Sequence, residues 1–320
     1  MRATARAQPN IALVKYWGKK DVARNLPAVG SLSITLDDLW TTMEVEFDAA
    51  LAGDELRIND APAERLMPRV SQCLDLVAGE DRQPARVLSR CNFPIAAGLA
   101  SSASSFAALV VAAASACGRE AERLELAQLA GSVSGSAARS LYGGFVELDA
   151  AGEDIGLREI AAPADWPLEV IVAVTATRPK PVSSGEAMIT SATTSPFYRR
   201  WIEDQGPDLA AARRAVVTRD FDALGRVAEH NCLKMHSVMW TSRPSIVYWN
   251  SATLGCMHRV RELREAGRDV FFTIDAGPQV KAICPAGDAD DLAAEMAGVP
   301  GVVDVLRSRL GPGATLLPGA

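Results

Sequence analysis

The sequence predicts an α+β protein with two lobes. Strand-like and helical segments are mixed through the first half of the chain, whereas helical patterns dominate most of the second half. With 320 residues, the chain is longer than one average domain. A Pro-rich segment at residues 178–184, "RPKPVSS", separates the mixed region from the mainly helical region. We therefore expect a first lobe over residues 1–182 and a second lobe over residues 183–320.

Apolar runs bounded by turn residues predict the strands of the first half. Residues 41–47, "TTMEVEF", alternate polar and apolar side chains as a half-buried strand does. Residues 167–176, "PLEVIVAVTA", form a continuous apolar run, which is typical of a strand buried on both faces. Further strands are expected at residues 8–15, 31–36, 54–62, 85–94 and 143–149, and helices at residues 63–78 and 122–135 and in an Ala-rich segment that ends near Cys117.

The second half is predicted to be mainly helical. Helical periodicity extends through most of residues 186–265. Two strands at residues 269–277 and 280–285 then flank a Gly-Pro turn. Residues 288–299 form a helix whose Asp-rich first turn suits the helix macrodipole, and residues 302–311 add a last strand.

The charge balance limits the classes of partner. A net charge of −6 and a pI near 5.3 argue against a general nucleic-acid-binding surface. An anionic small substrate remains possible, because a few Lys and Arg side chains can be focused in one cleft. The longest apolar run, residues 106–117, is shorter than the ~20 residues that span a bilayer. We expect neither a membrane partner nor a nucleic-acid partner.

Cysteine usage favours a reduced, cytoplasmic protein. The six cysteines are scattered and no C-x-x-C occurs. Cys232 and Cys256 flank His236 and lie near His258, but these spacings match no zinc pattern. No apolar stretch follows the basic N-terminal residues, so no signal peptide is predicted.

Residues 94–105, "PIAAGLASSASS", contain only small polar and apolar side chains apart from Pro94, Ile95 and Leu99. A strand is predicted to end here, a loop with Gly98 follows, and a helix then begins. A helix N-terminus offers free backbone N–H groups and a partial positive charge, so this segment suits a polyphosphate. A capped helix packed by small residues would look the same. The loop lacks the lysine of the Walker motif, so a lysine would have to come from elsewhere.

Three other segments carry candidate chemistry. Lys15, Lys19 and Lys20 surround Tyr16-Trp17-Gly18, and they form either a solvated basic turn or a phosphate contact. In "SVSGSAARS", Arg139 follows small hydroxyl residues, so it either belongs to a polar loop or forks to a carboxylate or phosphate. Asp275 lies at a strand end before Gly-Pro, where it either forms a turn or accepts or orients a hydroxyl proton.

Several segments together resemble a known family. "PIAAGLASSA" is similar to the phosphate-binding signature of the GHMP kinase superfamily. Residues 10–21, 26–36, 134–147 and 272–281 resemble, in that order, the most telling segments of the diphosphomevalonate decarboxylase family, and residues 182–188 fit its substrate loop more loosely. The resemblance spans most of the chain.

The resemblance implies a two-lobed GHMP-kinase fold. It has an N-terminal lobe like domain 2 of ribosomal protein S5, a ferredoxin-like, helix-rich C-terminal lobe, and an active site in the cleft between them. The implied reaction uses ATP and Mg²⁺ to phosphorylate the 3-hydroxyl of (R)-5-diphosphomevalonate. Loss of phosphate and CO₂ then gives isopentenyl diphosphate, a step of isoprenoid biosynthesis. The family is often dimeric, so a homodimer is one option.

The resemblance also implies site residues. Asp275 would be the catalytic acidic residue, Arg139 would hold the carboxylate that leaves, and Lys19 and Ser136 would assist. The nucleotide phosphates would lie on the small-residue loop, at Pro94, Ala97, Gly98, Leu99, Ala100, Ser101 and Ser102, with Ser102 at Mg²⁺ or the γ-phosphate. Substrate contacts would come from Ala12, Tyr16, Trp17, Gly18, Lys19, Arg65, Ser134, Gly135, Ser136, Arg139, Ser184, Gly185, Met188 and Ala276.

Departures from the family pattern leave alternatives open. Gly185 stands where relatives carry a Thr or Arg that helps bind the diphosphate, and it offers no side-chain donor. Val29-Gly30-Ser31 and Gln279 also differ from the usual residues. The same chemistry on 5-phosphomevalonate is therefore a rival, and so is a mevalonate 3-kinase-type enzyme that stops after phosphorylation. A non-catalytic ligand-binding relative would be expected to lack Asp275 or the serine loop.

Overall fold

The computed structural model describes residues 1–93, 101–178 and 180–318, and within them the chain forms sixteen strands and eight α-helices. The strands are β1 Arg2–Ala7, β2 Asn10–Val14, β3 Lys19–Asp21, β4 Leu26–Pro27, β5 Ser31–Thr35, β6 Thr41–Phe47, β7 Glu55–Ile58, β8 Ala61–Pro62, β9 Ala85–Cys91, β10 Phe145–Asp149, β11 Gly156–Ala161, β12 Leu168–Val174, β13 Phe271–Ile274, β14 Val280–Pro285, β15 Asp304–Arg309 and β16 Thr315–Leu316. The helices are α1 Met67–Ala78, α2 Ser101–Cys117, α3 Arg123–Val133, α4 Ser184–Thr194, α5 Tyr198–Thr218, α6 Phe221–Trp240, α7 Ser251–Glu265 and α8 Ala289–Ala297.

The first lobe contains two larger sheets and the two-stranded sheet of β3 and β4. One has the order β16-β1-β6-β9-β7-β8 and is antiparallel except where β7 pairs with β9, and the other is an antiparallel sheet in the order β11-β10-β5-β2. Helix α2 packs against the six-stranded sheet, with α1 and α3 beside it. Its alanines allow a close approach on every side, so the helix is buried almost all round. This burial fixes the N-terminus of α2 at the edge of the lobe.

The second lobe is one antiparallel sheet covered on both faces. The strand order is β13-β14-β12-β15, with α5 and α6 against one face and α7 and α8 against the other. All seven residues of β12 are buried, which confirms the prediction from its continuous apolar run. β12 precedes residue 182 but pairs on both sides with strands of the second half. The lobe boundary after residue 182 stays a prediction.

The two lobes are joined by buried hydrogen bonds at the end of β2. The backbone N–H of Lys15 donates to Asn231 Oδ1 over 2.7 Å, and Gln205 Nε2 donates to the Lys15 carbonyl over 2.6 Å. Trp201 Nε1 donates to the Trp17 carbonyl over 2.9 Å. Helices α5 and α6 therefore hold residues 15–17 in place on both sides of Lys15.

Some elements differ from the sequence prediction for identifiable reasons. The predicted strand at residues 8–15 is β2 alone, and Pro9, which has no N–H to donate, separates it from an unpredicted β1. β11 also went unpredicted, because its half-exposed residues give no clear alternation. No helix of the described residues has the length and apolar character of a membrane span.

Asp54 fastens α1 to the sheet of the first lobe. Its carboxylate accepts two hydrogen bonds from Arg82, one from the Ser71 hydroxyl and one from the backbone N–H of Ala85. Burial alone would raise the pKa of Asp54, but these hydrogen bonds outweigh burial and lower it to about 2. An unfolded Asp has a pKa of about 3.9, so this contribution to stability is present above pH ~4 and is lost as the pH falls toward 2.

We expect Asp54→Asn to lower the free energy of unfolding by about 2 kcal/mol at neutral pH, because charge-assisted hydrogen bonds are lost. Urea unfolding of wild type and variant at pH 7, 5 and 3.5 measures the difference, which should shrink at the lowest pH. Glu55→Gln is the control, since Glu55 forms an exposed pair with Arg86 and should cost below ~0.5 kcal/mol. A difference for Asp54→Asn that stayed constant with pH would contradict this account.

Candidate active site

A cavity of about 660 Å³ lies between the lobes at the end of β2. The first lobe contributes the residues after β2, the N-terminus of α2 and the turn after α3, and the second lobe contributes the N-terminus of α4 and the end of β13. The described lining residues are Asn10, Ala12, Lys15, Tyr16, Trp17, Lys19, Asn25, Arg69, Ser101, Ser102, Val133, Ser134, Gly135, Ser136, Arg139, Lys180, Ser183, Ser184, Gly185, Met188, Met235, Asp275 and Ala276.

The charge of this lining is opposite to that of the whole chain. Five lining side chains are cationic, namely Lys15, Lys19, Arg69, Arg139 and Lys180, whereas Asp275 is the one acid among the described lining residues. The formal charge of the lining is therefore +4 in a chain of net charge −6. Low-dielectric walls focus such a field, so the cavity suits a ligand that carries several negative charges.

Two lysines hold the Asp275 carboxylate. Lys15 Nζ donates to Oδ1 over 2.7 Å and also to the carbonyl of Ala12 over 2.7 Å. Lys281 Nζ lies 3.1 Å from Oδ2. Burial of Asp275 would raise its pKa, but the two ammonium groups outweigh burial and keep the pKa well below its usual range. Asp275 is therefore an ionised acceptor in the ligand-free protein.

Arg139 is a buried cation that has no acidic hydrogen-bond partner among the described residues. Its side chain donates from Nε to Asn10 Oδ1 over 3.3 Å and from Nη1 to Ser31 Oγ over 2.7 Å, and both acceptors are neutral. The residue is 2% exposed, and burial lowers the pKa of its guanidinium to about 10. A buried cation held by neutral groups is stabilised when an anion arrives, so Arg139 marks the place for an anionic group in the cavity.

The turn after α3 brings hydroxyl groups to the cavity. Ser134 Oγ and Ser136 Oγ lie 3.5 Å apart on either side of Gly135. A Cβ at Gly135 would come within 2.7 Å of the Tyr16 hydroxyl, so only glycine lets the phenol approach this backbone. Burial raises the pKa of Tyr16 to about 12, so its hydroxyl stays protonated and can donate to a ligand.

Lys19 and Arg69 supply two cations to one end of the cavity. Burial, and then the charge of Arg69, lower the pKa of Lys19, because two like charges lie close together. Arg69 Nη2 donates to the Val133 carbonyl over 2.9 Å and the guanidinium stacks on the ring of Phe106. Arg65 was the arginine expected here, but it lies exposed in the 3₁₀ turn before α1 and does not line the cavity. Arg69, within the first turn of α1, is the arginine of this segment that lines the cavity.

Two helix N-termini face the cavity. Ser101 and Ser102 begin α2, and the N-terminus of α4 brings Ser183 and Ser184. Lys180 adds a cation beside α4, donating to Ser184 Oγ over 2.6 Å and to the Ala276 carbonyl over 3.0 Å, and burial lowers its pKa to about 8. Helix N-termini attract anions, so both of these places in the cavity suit phosphate groups. The predicted loop residues Pro94, Ala97, Gly98, Leu99 and Ala100 lie outside the described residues.

Gly18 is the second predicted residue that the structure places outside the lining. Its backbone has a φ of +100°, and a Cβ there would meet the hydroxyl of Tyr198. Gly18 therefore shapes the turn between Trp17 and Lys19, and its contact with substrate stays a prediction. The other described candidates all line the cavity.

Sequence reasoning missed several lining residues, including Asn10, Lys15, Arg69 and Lys180. Lys15 was visible within its basic segment, but nothing in that segment separated it from Lys20. Lys20 is exposed and donates to the carbonyls of Ala150 and Gly152. This position agrees with the interpretation of its segment as a solvated basic turn. Asn10 at the start of a strand gives no sequence signal, because its role depends on Arg139, 129 residues away.

Two family models cover the chain in succession. The diphosphomevalonate decarboxylase-like N-terminal domain matches residues 7–158, and the mevalonate 5-diphosphate decarboxylase C-terminal domain matches residues 170–301.

Relatives and solved structures agree with these models. Diphosphomevalonate decarboxylase mvd1 of Aspergillus fumigatus is 36% identical over 303 residues, covering 87% of this chain and 75% of its own. Mevalonate diphosphate decarboxylase of Staphylococcus aureus superposes with a TM-score of 0.93 at 35% identity, covering 99% of this chain and 98% of its own. MDDEF in complex with MVAPP, AMPPCP and magnesium also gives a TM-score of 0.93, at 34% identity, covering 100% of this chain and 99% of its own. The two-lobed GHMP-kinase fold is thereby confirmed, and the chain belongs to the diphosphomevalonate decarboxylase family.

Proposed function

We propose that this protein catalyses the ATP-dependent decarboxylation of (R)-5-diphosphomevalonate to isopentenyl diphosphate. The observation that carries the proposal is that Arg139 and Asp275 line the same strongly cationic cavity. Arg139 is a buried cation whose hydrogen-bond partners among the described residues are neutral, and Asp275 is an ionised acceptor. A substrate with a hydroxyl, a carboxylate and a phosphate tail offers one group for each part of this cavity.

The phosphate tail of the substrate would lie at Lys19, Arg69 and the Tyr16 hydroxyl. These groups provide two charges and one neutral donor at the same end of the cavity. Charge-assisted hydrogen bonds to phosphate are stronger than neutral ones, so this end supplies binding energy remote from the reacting carbon.

The nucleotide would place its phosphates at the N-terminus of α2. Ser101 and Ser102 offer hydroxyl groups there, and the helix offers free backbone N–H groups. No group of three or more His, Cys, Asp or Glu side chains suited to a metal occurs among the described residues. Mg²⁺ fits the N-terminus of α2 without such a group, because Mg²⁺ usually keeps waters and substrate phosphates as ligands. Ser102 would be its protein ligand. The ion would neutralise charge on the nucleotide phosphates.

Asp275 orients the 3-hydroxyl for phosphoryl transfer. Its lowered pKa makes it a weak base, which suits a transition state that is largely dissociative and needs little early proton removal. We propose that Asp275 accepts the hydrogen bond of the hydroxyl and aims the oxygen lone pair at the γ-phosphorus. As the new O–P bond forms and the bond to ADP breaks, the hydroxyl proton passes to the carboxylate.

Arg139 fixes the carboxylate for the second stage. When the 3-phosphate leaves with the electrons of its C–O bond, positive charge develops at C3. The C–C bond to the carboxylate then breaks, its electron pair forms the alkene, and CO₂ departs. A planar guanidinium held by Asn10 and Ser31 can keep that C–C bond aligned with the empty orbital. A kinase that stopped after phosphorylation would bind the same carboxylate at Arg139, so release of CO₂ decides between the two reactions.

A second candidate is the same reaction on 5-phosphomevalonate. Gly185 lines the cavity without a side-chain donor, and a Cβ there would meet nothing within 4 Å. The cavity therefore has fewer phosphate contacts than the family pattern implies. The ratio of kcat/KM for the two substrates decides between them.

We also propose that the enzyme works in the cytoplasm. All six cysteines are free thiols, and this usage is typical of a reducing compartment. A homodimer is proposed from the family resemblance alone, and sedimentation analysis tests it.

We expect the purified protein to release ADP and CO₂ in equal amounts from ATP, Mg²⁺ and 5-diphosphomevalonate. Asp275→Asn should lower kcat by at least about 100-fold, since the oriented acceptor is lost, while ATP binding changes little. Coupled ADP detection with trapped ¹⁴CO₂, and fluorescent-nucleotide titration, measure the two properties. Formation of ADP without CO₂ by the wild type would refute the decarboxylase, and faster turnover of the monophosphate would refute the diphosphate as substrate.

Arg139→Met should lose turnover but gain stability. Replacing a buried charge that has no acidic partner by an apolar side chain is often stabilising, so the melting temperature of the ligand-free variant should rise. Its kcat should fall by about 100-fold with a smaller change in the KM for ATP. Differential scanning fluorimetry and steady-state kinetics test the pair of effects. A lower melting temperature with full activity would show that Arg139 is structural.

Arg69→Met should raise the KM for the phosphorylated substrate by about tenfold or more, because a charge-assisted contact worth about 1.5–3 kcal/mol is removed. The KM for ATP should stay within about twofold. Arg65→Met, four residues earlier and outside the cavity, is the matched control and should leave both values unchanged. Equal effects of the two substitutions would contradict the assignment.

A further inference from the structure

Lys281 is a buried lysine next to the cavity, and the proposed mechanism gives it no role. Its side chain is 1% exposed and it does not line the cavity, although its Nζ lies 3.1 Å from Asp275 Oδ2. Lysine is almost never buried this fully unless it is paired. Its burial therefore requires the pair with Asp275.

The hairpin of β13 and β14 explains how Lys281 reaches Asp275. Thr273 is directly opposite Lys281 in the antiparallel register, so these two side chains point to the same face of the sheet. Asp275 follows Thr273 by two residues, which returns its side chain to that face. Lys281 thus approaches Asp275 from the sheet, whereas Lys15 approaches from the other lobe.

The two lysines bind different oxygens of the carboxylate. Lys15 Nζ donates a hydrogen bond to Oδ1 and is itself part of the cavity lining, whereas Lys281 Nζ forms an ion pair with Oδ2 over 3.1 Å. One contact would leave the carboxylate free to rotate about its χ2 bond, whose torsional preference is broad. A cation at each oxygen restricts that rotation before a ligand binds.

We propose that Lys281 is a positioning residue that sets the orientation of the Asp275 carboxylate for phosphoryl transfer. This inference rests on the proposed function, because orientation matters only if Asp275 receives the substrate hydroxyl. Lys281 acts through Asp275 and touches neither substrate nor nucleotide.

The electrostatics agree with the geometry. Burial, followed by the charge of Lys15, lowers the pKa of Lys281, and the charge of Asp275 opposes this. Asp275 also feels the charges of Lys180 and Arg139 from across the cavity. The neighbouring groups on α6 add no charge to this balance at neutral pH, since burial raises the pKa of Cys232 to about 11 and lowers that of His236 to about 3.

The test is a comparison of Lys281→Met with wild type, alone and in the Asp275→Asn background. In the wild-type background kcat should fall by about 100-fold, as expected for a misplaced reacting group, with both KM values within about threefold. In the Asp275→Asn background the same substitution should cost less than about threefold, because the group it positions is already lost. Release of ¹⁴CO₂ over hours makes the low rates measurable.

Arg307→Met is the matched control, since Arg307 is a cation on the same sheet that pairs with Glu169 away from the cavity. It should leave kcat unchanged. If Lys281→Met does not fold, Lys281→Gln, which keeps a neutral donor, takes its place. If neither variant folds, Lys281 holds the fold and the proposal is wrong. It is also wrong if kcat changes by less than threefold or if the loss is equal in both backgrounds. Absence of CO₂ from the wild type would instead refute the proposed function.

Discussion

Excess positive charge at the junction of the lobes is the constraint on which the rest of the site depends. Lys15, Arg139 and Lys281 are all almost completely buried, and Asp275 is the acid that balances them. Burying cations in a low dielectric is costly unless each finds an anion or a good set of acceptors. The protein supplies one carboxylate and leaves the remaining charge to be matched by ligands. The cavity is therefore pre-organised for anions before any of them binds.

The surrounding structure can be understood as the means of holding those charges in place. Lys15 is fixed through its backbone by Asn231 and Gln205, which belong to the other lobe. Arg139 is held by two neutral side chains that also cannot neutralise it. The contacts of Lys15 cross between the lobes, so the geometry of the cavity depends on how the lobes are joined. A substitution at Asn231 would be felt at Asp275 even though no contact links the two directly.

Local patterns in the sequence predicted much of the fold and part of the site. The continuous apolar run of β12 and the Ala-rich helix α2 follow from residue type and periodicity, which act over short distances. Asp275 and Arg139 were identified because each stands in a distinctive segment. Asn10 and Lys281 could not be identified in this way, because their roles are created by partners that only the folded chain brings near. The sequence indicated Arg65, whereas Arg69 lines the cavity, because the sequence does not fix which side of the first helical turn faces the cavity.

The same charge balance affects the second chemical stage, in which the 3-phosphate leaves and positive charge develops at C3. The lining residues that the structure describes carry a formal charge of +4, which by itself would oppose the positive charge that develops at C3. A bound diphosphate and carboxylate bring about −4, and a magnesium-bound nucleotide about −2 more. The loaded site is thus net negative, and only then does it favour a cation at C3. Departure of the 3-phosphate is therefore favoured in the loaded site, where the bound anions outweigh the charge of the lining.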